Sequence, residues 1–246
     1  MPKSFFIDTS RCTACRGCQL ACKEWNELPA NKTKQTGSHQ NPPDLNPNNF
    51  KVVRFSEHLE NDTVKWYFFP DQCRHCLDPP CKDAIEGYVS GGVIQDPATG
   101  AVLYTEKTKE VPFEEVRSAC PYNIPRQAAN GQLVKCTMCN ERVTRGLLPA
   151  CVKVCPTGTM NFGDRDKMLD LANKRLAEAK KTNPKAMLAD AGSVNVIYLL
   201  QDAPAKYHKF VVAGRSSEGI SRKDLLAKIF APIRRTAEGM EQSTKS

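Results

Sequence analysis

Twelve cysteines fall in four groups along the chain, and the first group, Cys12, Cys15, Cys18 and Cys22, has gaps of two, two and three residues. The others are Cys73, Cys76 and Cys81, a lone Cys120 followed by Pro121, and Cys136, Cys139, Cys151 and Cys155, the last followed by Pro156. Three thiolates this close wrap one [4Fe-4S] cubane, while the fourth cysteine of such a run, often followed by proline, reaches a neighbouring one. A chain so marked must fold as loops around clusters.

Two other uses of cysteine are weaker readings. Disulfides belong to small secreted domains, whereas repeated pairs two residues apart ending in Cys-Pro suit metal capture. Zinc ribbons also use Cys-x2-Cys pairs, but not four cysteines in the Cys12–Cys22 spacing, so a zinc-binding nucleic-acid module is the lesser alternative. The chain has 246 residues and a mean hydropathy of −0.48 with 40% hydrophobic residues, so part of its stability is expected to come from metal ligation.

The formal charge of +8 suggests nucleic acid or an anionic membrane only while every thiol is counted as neutral. Three oxidised cubanes at about −2 each, thiolates included, bring the total to about +2, and reduction of all three brings it to about −1. Much of the basic excess is then internal compensation, and no nucleic-acid partner is expected. No run approaches the roughly 18 apolar residues of a membrane span. Only eleven residues precede Cys12, too few for a signal peptide, so any export is expected to depend on a partner.

The fold class expected is α+β, with two pseudo-symmetric bacterial-ferredoxin-like units and a C-terminal extension. Residues 1–29 and 131–165 form an outer two-cluster unit, 50–130 an inner unit with one cluster, 30–49 an insertion loop rich in Asn, Pro, Lys and Gln, and 166–246 the extension. Strands are predicted at 4–8, 52–55 and 64–69, and a hairpin joins 93–95 to 101–104 through Asp96-Pro97-Ala98-Thr99-Gly100. A strand at 159–162 is expected to pair with 4–8. Apolar residues at Met168, Leu169, Leu171, Ala172, Leu176 and Ala179 mark a helix over 164–181, ended by Asn183-Pro184. A strand at 194–200 and a basic helix at 222–233 follow.

The crossing of fourth ligands assigns every cysteine. Cys12, Cys15, Cys18 and Cys155 are expected to hold cluster 1, and Cys22, Cys136, Cys139 and Cys151 cluster 2. The inner groups are defective by the same rule. A full run before Cys120 needs cysteines at 110, 113 and 116, and one after Cys81 needs a cysteine at 85; the chain has Glu110, Phe113, Val116 and Ile85. Those four absences are the ligand set of one whole cluster, which leaves Cys73, Cys76, Cys81 and Cys120 as the complete set of cluster 3.

Four segments carry a family resemblance: Phe6-Ile7-Asp8 before Cys12-Thr-Ala-Cys-Arg-Gly-Cys18, Gln72-Cys-Arg-His-Cys-Leu-Asp-Pro-Pro-Cys81, Ala119-Cys-Pro-Tyr-Asn-Ile-Pro-Arg126, and Pro149-Ala-Cys-Val-Lys-Val-Cys-Pro-Thr-Gly158. Over roughly residues 3–165 the chain resembles the electron-transfer subunits of molybdopterin oxidoreductases. With Gly37-Ser-His-Gln-Asn-Pro-Pro-Asp44 it looks most like the iron-sulfur (beta) subunit of soluble tungsten- or molybdenum-dependent formate dehydrogenases. The resemblance implies a heterodimer with a catalytic alpha subunit that alone holds the pterin metal. It also implies a soluble electron acceptor such as a cytochrome c, and a periplasmic location by co-export, with a cytoplasmic complex the alternative. The matching subunit of an enzyme for thiosulfate, polysulfide or a sulfoxide is the alternative within the family.

Arg16, Lys23, Arg74, Lys82, Lys135 and Lys153 adjoin ligand cysteines, where positive charge raises a cluster's potential or is merely solvated. His75, between two ligands, is expected to hydrogen-bond rather than ligate. There is no G-x-S-x-G, Walker or dinucleotide motif. With four thiolates per cubane, no iron is open to substrate, so the chain reads as a wire and not as a catalyst.

Overall fold

The computed structural model describes residues 2–214. In chain order the elements are β1 (Lys3–Asp8), α1 (Gly17–Trp25), β2 (Val52–Glu60), β3 (Thr63–Asp71), α2 (Pro80–Glu86), β4 (Val93–Gln95), β5 (Val102–Tyr104) and α3 (Phe113–Ala119). Then follow β6 (Arg126–Gln127), β7 (Leu133–Val134), α4 (Asn140–Val143), α5 (Ala150–Lys153), β8 (Met160–Asp164), α6 (Arg165–Thr182), β9 (Met187–Ala189) and β10 (Val196–Leu200). The result is a mixed α/β fold of small sheets and short helices, compatible with a ferredoxin-like iron-sulfur domain. The predicted basic helix at 222–233 lies outside the described residues.

The largest sheet has the order β8-β1-β10-β9. β1 pairs antiparallel with β8, Phe5 opposite Phe162, and parallel with β10, Phe5 opposite Val196. Both central strands are apolar on both faces, as a strand covered on each side must be. Their alternation sorts the core. Phe6, Ile197 and Leu199 point to one face and meet Ala172, Met168 and Leu176 of α6. Phe5, Ile7, Val196, Tyr198 and Leu200 point to the other and pack with Phe69, Met138, Cys18 and Cys151. The sheet thus separates a helical layer from a cysteine-bearing layer.

β2 and β3 run antiparallel with Glu60 opposite Thr63 across Asn61-Asp62, both at positive φ (49° and 58°), a two-residue turn whose twist suits a hairpin. The expected hairpin of β4 and β5 is present, with Gly100 at φ 76° where the chain turns back. α6 ends at Thr182, with Asn183 already extended as a residue before proline must be. Residues 30–49 form no helix or strand but are pinned to the body. Leu45 is buried, and Asp44 pairs with Arg54 (2.6 Å) and Arg126 (2.8 Å).

Candidate metal centres

The cysteine loops bend through left-handed backbone, which turns successive N–H groups toward the sulfurs. Ala14, Arg16, His75, Met138 and Cys139 all have φ between 45° and 64°. The consequence is direct N–H to sulfur contact: His75 N donates to Cys73 Sγ and Met138 N to Cys136 Sγ, each at 3.4 Å. Concave runs of backbone N–H groups favour an anionic guest.

Cys73, Cys76, Cys81 and Cys120 line one small cavity together with Arg74, Tyr104 and Lys135. Cys12, Cys15, Cys18 and Cys155 line a second, with Arg16, Val53 and Pro70. Cys22 has Cys136, Cys151 and Cys139 as its thiol neighbours; burial first, and then their charge, pushes it well above the ordinary thiol range. Eight of the twelve sequence-predicted cysteines thus line two cavities, four to each. Among the described residues no three metal-binding side chains converge closely enough to hold a single ion.

The chemistry of the first cavity tests whether a cluster suits it. Buried side-chain donors normally find a partner, yet Gln72 Nε2, Arg74 Nε, His75 Nε2 and Tyr104 Oη are buried without one, all beside Cys73, Cys81 or their neighbours. His75 accepts from Val102 N at Nδ1 (3.0 Å), which leaves its proton on the unpartnered Nε2. Burial, then the charge of Lys135, lowers its pKa well below the usual range, so the ring is neutral. Of the four unpartnered residues, Arg74 and Tyr104 line the cavity with Lys135, and a group rich in acceptor sulfur fits those donors.

Burial is also the main force on the thiols. It pushes Cys12 and Cys120 up to about 11 and Cys136 up to about 12, so a metal must displace protons here and pays back the desolvation with Fe–S bonds. Cys155, half-buried, goes the other way, because the N–H groups of Met160, Thr157 and Thr159 and the Thr157 hydroxyl outweigh its burial. Cys15 is the one exposed thiol.

Of the basic residues beside the cysteines, only Arg74 and Lys135 are buried, and both line the first cavity. Arg74 is neutralised by Asp71 at 2.8 Å and packed against the rings of Phe69, Tyr122 and Tyr198 at 4.8–5.1 Å. Arg16 lines the second cavity, Lys82 is half-buried and Lys153 is exposed. Sequence adjacency misses Lys51, buried yet more than twenty residues from any cysteine.

Residues 64–165 match the 4Fe-4S dicluster domain family. The formate dehydrogenase 2 subunit beta (cytochrome c-553) of Nitratidesulfovibrio vulgaris is 59% identical over 85% of this chain and 98% of its own length. The chain belongs to the iron-sulfur (beta) subunits of formate dehydrogenase. The beta subunit of Megalodesulfovibrio gigas is 52% identical over 87% of this chain and all of its own length. The nitrate-inducible iron-sulfur subunit of Escherichia coli is 37% identical over 82% of this chain and 70% of its own length. This beta subunit is thus a [4Fe-4S] electron-transfer protein, and its family implies a catalytic alpha partner. No helix among its described residues is long and apolar enough to cross a membrane.

Proposed function

We propose that this beta subunit carries three [4Fe-4S] clusters and relays electrons from a pterin-metal alpha subunit, where formate is oxidised, to an external acceptor. The observation that carries the reading is that eight of the twelve cysteines line two cavities, four to each, while Cys22 has the other three as its thiol neighbours. Cys12, Cys15, Cys18 and Cys155 would hold one cluster, Cys22, Cys136, Cys139 and Cys151 the second, and Cys73, Cys76, Cys81 and Cys120 the third. Bound clusters of this kind supply one-electron redox steps. The chain's own residues hold the thiolates, exclude water and aim backbone N–H groups at sulfur.

The two-unit plan is supported by the inner region. The four positions lacking cysteine do not gape. Ile85, Val116 and Phe113 pack together in one apolar cluster with Val93, Val102 and Leu133, while Glu110 turns to solvent. On this reading a fourth site has been replaced as a whole by core. α2 packs against α3 here as α1 packs against α5 near the outer thiols, which supports pseudo-symmetry.

Exposed Leu20 and Val154 line one surface groove and Trp25 and Val154 another, and apolar surface of this kind suits a protein partner. The printed name of the N. vulgaris relative points to a c-type cytochrome as the acceptor. Location in the periplasm, by export with the alpha subunit, is part of the same reading. The test is formate added to the purified two-subunit complex. Visible absorption should bleach with about twelve iron and twelve sulfide per beta chain. A colourless complex, or clusters that dithionite reduces and formate does not, would overturn the proposal.

A further inference from the structure

Buried cations in this molecule fall into two kinds. Arg54 and Arg74 share the buried carboxylate of Asp71 at 2.7 and 2.8 Å, so their charge is cancelled where it stands. Lys51 has no such partner among the described residues. It is 1% exposed, and its ammonium donates to two neutral acceptors, Pro70 O at 3.3 Å and Gln72 Oε1 at 2.5 Å. A buried ammonium without a counter-charge is costly, and neutral hydrogen bonds do not remove that cost.

The missing negative charge is sulfur. Val52 stands opposite Asp71 in the hairpin, which places Lys51 opposite Gln72 at its open end. Pro70, whose carbonyl holds the ammonium, lines the cavity of Cys12, Cys15, Cys18 and Cys155, as does Val53. Val53, two residues further along the chain, packs in one core with Cys18 of the first outer set and Cys151 of the second. Cys18, Cys151 and Cys136 lie within electrostatic reach of the ammonium. Lys51 therefore lies near thiols of both outer sets.

We propose that Lys51 is the shared counter-charge of the two outer clusters, a positioning cation that stabilises their reduced states and holds their potentials up together. The proposal rests on the cluster assignment above. Its chemistry is Coulombic: an electron added to either cluster increases negative charge beside a fixed cation in a water-excluded site, and reduction becomes easier. Lys135 lines the remaining cavity, its ammonium over the Tyr104 ring at 4.7 Å, so the set containing Cys73 has a cation of its own, which also acts on Cys136.

The experiment uses the complete complex with Lys51→Gln and Lys51→Arg, iron and sulfide analysis, and an EPR-monitored redox titration. In Lys51→Gln with full iron, the reduced-to-oxidised ratio of two clusters at a fixed potential should fall at least tenfold, about 59 mV, with the third moving less. Lys51→Arg should titrate as the wild type does. Potentials unmoved in Lys51→Gln, or all three moved equally, would overturn the role. If Lys51→Gln fails to load iron, full loading of Lys51→Arg supports a need for charge, and failure of both shows a need for shape and overturns it. A wild-type count other than about twelve iron for this chain, with the partner subunit's own iron subtracted, contradicts the cluster assignment instead, so the two failures are distinguishable.

Discussion

Around α1 and α5, Cys18 and Cys151 are buried in one core with Cys155 packed against it, whereas around α2 and α3 a single cysteine, Cys81, sits in an apolar cluster built on Ile85 and Val116, both 0% exposed. Both regions solve the same problem. Short helices too small to bury much surface need something to pack around, and either metal-thiolate bonding or hydrophobic contact will serve. The difference teaches that the exchange is made by whole sites. Ile85, Phe113 and Val116 fill space jointly, and a single stranded thiol among them would gain nothing.

The largest effects should follow from breaking the thiol sets. Cys120→Ala should remove about four iron and leave the other clusters' EPR signals in place, while Cys155→Ala should remove about four from the outer region. Loss of the same signal in both variants would contradict the separation of the regions. Next is the apolar substitute. Ile85→Ala should destabilise the chain by about 2–5 kcal/mol in chemical unfolding while iron content stays unchanged. Iron loss in step with stability would mean that this core does not stand apart from the metal sites.

A smaller effect tests how closely that core is packed. A Cβ on Gly92 would fall 2.4 Å from Ile85 Cγ2 and 3.1 Å from Val89 Cγ1, so Gly92→Ala should cost about 1–3 kcal/mol, again without iron loss. The smallest lies outside both regions. Hydrogen bonds from Lys206 and Lys65 hold Glu60 at about 2, and Asp202, despite burial, is held at about 2 mainly by Lys206. Folded pKa values below the ordinary carboxylate range mean stability that is complete above about pH 4.5 and lost as pH falls through 2. Amide protection of the β2–β3 hairpin, corrected for intrinsic exchange, should therefore not change between pH 6 and 8. Lys206→Met should reduce it slightly at both, with no change in the clusters.

Much of this was legible in the sequence, for physical reasons that differ by element. The pairing of β1 with β8, the β4–β5 hairpin and α6 follow from apolar periodicity and turn residues. The grouping of thiols follows from the crossing of fourth ligands, which spacing alone expresses. α2 and α3, at seven residues each, are too short to show a helical period and form because tertiary packing holds them. Lys51 was hidden because hairpin register, not sequence proximity, brings it to the cysteines. Asp44 was hidden likewise: its loop reads as a polar excursion, and only the fold supplies Arg54 and Arg126.

The most direct test of the central claim is an iron-edge anomalous difference map of the crystallised complex. Three cluster-sized peaks are predicted in this chain, ringed by the three sets of four cysteines, with none beside Ile85, Phe113 and Val116. A fourth peak there, or only two peaks in the chain, would contradict it.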